Sequence, residues 1–298
     1  MIQSWFGRMA RAMVACVLLV CASSAVAQTL YVASGSNGVA GQLHTINPAN
    51  GATVSTIGQL RDAAGAPYGL TGLAFHPTTG VLYGSVANFS DTNPGFLVSV
   101  NPNTAVVTPI GPFTNVIGTM ADISFRQDGT LFGWESAGPH RLGTINLTTG
   151  TATTIGTGVG TAVFGGGGLA ARRTDGTLFV APDGASGPRT LRTVDAVTGV
   201  TTTIGPLSGL PAGFTSGSLT AMDFDGAGNL VGLLSDRGGI AQTHLVTINQ
   251  TTGAVTSRGL TTLTDLDAMA FIIPEPGSAA LLGGAAAALA LRRRRRRD

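Results

Sequence analysis

Three aspartates, Asp122, Asp265 and Asp267, stand near the starts of segments that read as first strands of a repeat. Carboxylates placed there can converge on a Ca²⁺ ion together with backbone oxygens, so these three are the candidate metal ligands. No metal site or cofactor is otherwise predicted. The stretch DFDGAGN, Asp223 to Asn229, looks superficially like a calcium loop, yet it aligns with the turns QDGT and TTGV and lacks the downstream Glu that such a loop needs. His44, His76, His140 and His244 fall at unlike places in the repeat, which predicts no zinc site. There is no GxSxG elbow, and Gly165 to Gly168 neither follows a strand into a helix nor precedes a lysine. The chain has no lysine at all, which excludes Schiff-base chemistry and a phosphate-loop lysine. No catalytic residue is predicted.

The elements that must position any site are repeats. LHTINPANGATVSTIG from Leu43 is echoed by LVSVNPNTAVVTPIG, LGTINLTTGTATTIG, LRTVDAVTGVTTTIG and LVTINQTTGAVTSRG, beginning at Leu97, Leu142, Leu191 and Leu245. Each is two short strands rich in Val, Ile and Thr around a turn of Asn or Asp and usually Gly. Between them lie LAFHPTTGVLYGSV, ISFRQDGTLFGWES, LAARRTDGTLFVAP and MDFDGAGNLVGLLS, a second type of hairpin that is complete only four times. Four strands in about 50 residues make a β-propeller blade. The fifth copy of the second hairpin is split: TLYVAS at Thr29 matches TLFVAP at Thr177, and DAMAFII, Asp267 to Ile273, is a first strand without a successor. The expectation is an all-β, five-bladed propeller over residues 28–273, closed by pairing of the C-terminal strand with the N-terminal blade, which also hides strand edges. Pro109 suits this order, because it falls in a fourth, outermost strand. A solenoid or sandwich of the same strands is the alternative.

Alternating strand direction sends the short turns to one face and the long loops to the other. Loops on a rigid scaffold are where binding residues concentrate. The long-loop face offers Arg61, Asp62, Tyr68, Asp91, Phe113 and Phe164, then Asp183, Arg189, Phe214, Asp236 and Arg237. Aromatics beside Arg and Asp suit sugars, but any solvated loop set looks similar.

The two ends are addresses. Residues 1–27 carry Arg8 and Arg11, an apolar core from Ala12 to Val20, and Ala25 and Ala27 in the small-x-small pattern before a cleavage point, a secretory signal peptide. Both cysteines, Cys16 and Cys21, lie within it, so the exported chain is expected to have no disulfide. Residues 274–298 run Pro274-Glu275-Pro276, an apolar stretch from Gly277 to Leu291, six arginines (Arg292, Arg293, Arg294, Arg295, Arg296 and Arg297) and Asp298. The apolar stretch is shorter than the about 20 residues of a full span, and the arginines act as a cytoplasmic stop-transfer block. This order resembles the PEP-CTERM sorting signal of Gram-negative bacteria. The resemblance implies recognition by an exosortase-like processing enzyme, transient anchoring in the inner membrane by a short transmembrane helix, and delivery to the cell surface or an exopolysaccharide matrix. An uncut tail anchor is the alternative fate.

With both ends set aside, nine arginines face thirteen acids, so the basic pI belongs to the ends and gives no support for nucleic-acid binding. The function expected is a secreted, non-enzymatic interaction module, with exopolysaccharide or surface proteins as partners. The alternative is a propeller-type lyase or hydrolase with its site on the long-loop face, a reading that rests on fold analogy.

Overall fold

A computed structural model describes residues 28–35, 40–159, 163–164, 167–184, 189–214, 217–236 and 242–273. The signal-cleavage residues Ala25 and Ala27, the tripeptide Pro274, Glu275 and Pro276, and the arginines from Arg292 to Arg297 lie outside the described residues. Among the described residues there are strands and no α-helix.

Five four-stranded antiparallel sheets are the blades. Blade 1 orders β22 (Leu266–Ile272), β1 (Thr29–Ser34), β2 (Gln42–Ile46) and β3 (Thr53–Gln59). Blade 2 holds β4 (Leu70–Phe75), β5 (Leu82–Val86), β6 (Phe96–Val100) and β7 (Val107–Pro112). Blade 3 holds β8 (Met120–Phe125), β9 (Leu131–Glu135), β10 (Leu142–Ile145) and β11 (Ala152–Ile155). Blade 4 holds β13 (Leu169–Ala171), β14 (Leu178–Val180), β16 (Thr190–Val194) and β17 (Thr201–Pro206). Blade 5 holds β18 (Gly217–Phe224), β19 (Leu230–Asp236), β20 (Thr243–Ile248) and β21 (Val255–Leu260). Two short strands not read from the sequence, β12 (Val163–Phe164) and β15 (Asp183–Gly184), pair with each other beside blade 4. They join two loops flanking one blade end, where backbone groups left over from the sheet find partners in each other.

Closure follows the expected pairing of the C-terminal strand with the N-terminal blade. Thr29 pairs with Ile272, Leu30 with Phe271 and Val32 with Met269, so the last strand becomes the innermost strand of the blade that the first strand begins. This pairing rules out an open solenoid. Pro109 sits in the edge strand β7 opposite Val98, at a register shift where its missing N–H costs no ladder bond.

The repeated turn explains the repeated sequence. Asn47, Asn101, Asn146, Asp195 and Asn249 each accept, through Oδ1, the backbone N–H two residues on. Four residues after each, Gly51, Ala105, Gly150, Gly199 and Gly253 turn at positive φ and donate back to the same residue's carbonyl. Four of the five are glycine, which adopts that backbone without steric cost.

Each turn also packs on the neighbouring blade. The glycines that close four of the repeats, Gly111, Gly156, Gly205 and Gly259, lie against the turns at Thr149, Thr198, Thr252 and Asn50, and an added Cβ would overlap a backbone carbonyl in every case. The fifth, Gly58, faces the turn whose positive-φ residue is Ala105, and there the gap is 3.9 Å. Inside the ring, Phe75, Phe125 and Phe224 on inner strands take edge contacts from Tyr31, Tyr83 and Phe179 on second strands of the preceding blade. The core is therefore a circle of blade-to-blade contacts, with Leu, Val and Phe side chains removed from water as its main support.

Candidate functional site

Inner strands define the central channel, and most carry a bulge at the same height. The register slips at Thr71, Ala121, Thr220 and Asp267, each of which the ladder skips as an extra residue. The bulged Thr71 donates its hydroxyl to the carbonyl of Met120 at 2.8 Å, and Thr220 donates to that of Leu266 at 2.9 Å. Bulges here turn a side chain toward the next blade.

One residue beyond the bulge, Asp122 is fully buried in the channel. Its Oδ2 accepts the amides of Leu169 at 2.8 Å and Met222 at 3.1 Å, and its Oδ1 accepts that of Ile123 at 2.9 Å. One carboxyl thus joins inner strands β8, β13 and β18. Burial pushes its pKa well above the usual carboxylate range, against the pull of the three amides. There is no room for a second side chain, since a Cβ on Gly72 would stand 3.0 Å from Asp122 Oδ1.

The calcium candidates are not brought together. Asp267 is the bulged residue of β22 and Asp265 lies in the loop before it at a φ of 58°, whereas Asp122 is engaged by backbone amides. Among the described residues no three His, Cys, Asp or Glu side chains form a group able to hold a metal ion. DFDGAGN is a hairpin turn, as its alignment suggested. Asp225 Oδ1 accepts the amides of Ala227 and Asn229, and Arg258 bonds Asp225 Oδ2 at 3.0 Å.

The long-loop face differs from its sequence appearance. Tyr68 has no exposed surface and its hydroxyl accepts from Asn93 at 2.8 Å; Phe113 is buried; Phe214 packs edge-on against His244 at 5.0 Å. Tyr68 and Phe113 are core and Phe214 packs half-buried against it, because the loops fold down over the blade ends. What the sequence did not reveal there is a buried ion pair. The Glu135 carboxylate accepts Arg141 Nη2 at 2.8 Å and Nε at 2.9 Å, together with the amides of Ile117 and Arg141. Burial opposes the charge, but these bonds hold Glu135 below its ordinary value. His140, buried beside it, bonds the Glu135 carbonyl through Nδ1.

Polar side chains gather at the short-turn end of the inner strands. A cavity of ≈ 10 Å³, room for about one water, is lined there by Ser124, Ala171, Arg173 and Asp223 with Phe75 and Phe125. Asp223 accepts the amide of Phe224 through Oδ1 and that of Phe271 through Oδ2, both at 2.7 Å. Burial raises its pKa to about 6, and the charge of Arg173 offsets part of that rise. The sequence held a signal for this site. Asp223 occupies the inner-strand column that elsewhere reads Ala74, Ser124, Ala170 and Ala270, so a carboxylate among small residues marked a polar spot on the axis.

No known family profile matches the chain, and no curated protein matches its sequence. Among solved structures, it is similar to the extracellular domain of a hybrid two component system of B. thetaiotaomicron, at 14% identity and a TM-score of 0.42. That likeness covers 77% of this chain and 26% of the other, so the chain spans about a quarter of that protein. A gluconolactonase of Xanthomonas campestris is similar at 13% identity and a TM-score of 0.47, over 75% of this chain and 73% of that one.

Proposed function

We propose that the protein is an exported, surface- or matrix-directed propeller that acts by binding rather than by turnover, its C-terminal segment anchoring it transiently in the inner membrane before an exosortase-like enzyme removes that segment. The geometry that carries the reading is the commitment of the axial carboxyl: Asp122 holds three strands together through backbone amides. The enzymatic alternative placed its chemistry on the long-loop face. There Glu135 is spent on Arg141 and two amides, a structural use of a charge. The order Pro274-Glu275-Pro276, apolar run and arginine block supports the sorting part of the proposal.

The test is intact-mass measurement on protein from the cell-surface fraction. Loss of Arg292 to Arg297 together with the apolar run is the expected result. A surface species that retains the arginines overturns the sorting proposal, and hydrolysis or elimination of a polysaccharide by the purified chain overturns the binding one.

A further inference from the structure

Every arginine of the described body but one has a direct hydrogen-bond or ion-pair contact: Arg61 with Gln59, Arg126 with Asp128, Arg141 with Glu135, Arg172 with Asp175, Arg192 with Thr190, Arg258 with Asp225, and Arg189 likewise engaged. Arg173 is the exception among the described residues. It follows β13, is half-buried, and lines the channel-mouth cavity opposite a carboxylate. The charge of Asp223 acts on Arg173 only at a distance, and a half-buried guanidinium with no direct hydrogen bond is suited to a carboxylate from outside.

From this arrangement we propose that the short-turn mouth of the channel binds an acidic sugar residue, its carboxylate held by the Arg173 guanidinium and a neighbouring hydroxyl donating to Asp223. The cavity has room for about one water, so a single carboxylate oxygen enters it, while the ring and its hydroxyl stay at the mouth. Each oxygen of Asp223 already takes one amide and has a lone pair left for a donor. A hydroxyl fits that position better than an ammonium, because stripping water from a neutral group at a half-buried site costs less than stripping it from a charge. Ser124 Oγ, which accepts the amide of Ala171 at 3.0 Å, keeps its own proton to offer the same ligand. The inference names a ligand class for the matrix-directed reading and rests on that reading for where such a ligand would be met.

Titration of the full chain in mild detergent with D-glucuronate at neutral pH, followed by NMR, tests it. A dissociation constant of about 1 mM is expected, with D-glucose and β-alanine at least about tenfold weaker. The wild-type Arg173 Nε–H resonance should move on adding glucuronate, and Arg173→Gln should abolish the effect with its melting temperature kept. Should that variant fail to fold, the wild-type resonance alone decides. Equal binding of glucose, preference for β-alanine, or a stationary Arg173 signal overturns the site. None of these outcomes bears on tail removal, which the surface mass measurement reads separately.

Discussion

The amide of Phe271 donates to Asp223 Oδ2 at 2.7 Å, tying the last strand of the body to blade 5 while its ladder ties it to β1. The closing strand is thus held on both sides, by a sheet within its own blade and by a side chain from the next.

Phe271 has no exposed surface, and its ring fills the space between blades 5 and 1. Phe271→Ala should cost about 3–5 kcal/mol in urea unfolding. Removing Leu266–Ile272 altogether should leave a bare strand edge, read as aggregation on size-exclusion chromatography. An unchanged melt after that deletion would refute the closure.

Stability should peak in mild acid. Asp122 and Asp223 are raised, so the folded chain binds their protons more tightly than the unfolded one. Their contribution is complete below the ordinary carboxylate value; that of Asp223 is lost as pH rises through about 6, and that of Asp122 as pH rises through its own raised value. Glu135 and Asp225 are lowered and act oppositely, adding stability that disappears as pH falls below about 4. The melting temperature should therefore drop by at least about 3 °C between pH 4.5 and 7. In Asp223→Asn the slope over that interval should shrink, whatever happens to absolute stability.

Two glycines at the same repeat position should respond differently to one methyl group. Gly259→Ala drives a Cβ into the carbonyl of Asn50 and should cost about 2–4 kcal/mol. Gly58→Ala meets nothing closer than 3.9 Å and should stay within about 1 kcal/mol of wild type. Paired denaturation curves distinguish the two.

The buried pair on the long-loop face should outweigh its surface counterpart. Arg141→Ala strands the Glu135 carboxylate, whose side chain has no exposure, and should cost about 3 kcal/mol. Arg126 and Asp128 form a pair in which both are substantially exposed, so Arg126→Ala should cost less than about 1 kcal/mol.

The ring and its closure were legible because local chemistry wrote them. An Asx residue, a positive-φ glycine four places later and a glycine at the strand end recur at one spacing, and each has a backbone reason to be there. The channel mouth was harder to read. Ser124, Arg173 and Asp223 come from three blades and meet only because three inner strands end at one height. Tyr68 and Phe113 misled for the opposite reason, since a loop aromatic looks solvated until the loop is known to fold over a sheet end. Ala105 was visible as a departure from glycine, but its effect on Gly58 across the blade boundary required coordinates.

Because Thr29 and Ile272 are ladder partners, the position of the chain break carries no architectural meaning in a circle of near-equivalent units. A permuted gene that joins residue 273 to residue 28 through a few glycines, and opens the polypeptide at the exposed Thr78–Thr79 turn instead, would encode the same assembly with its seam moved to the next blade.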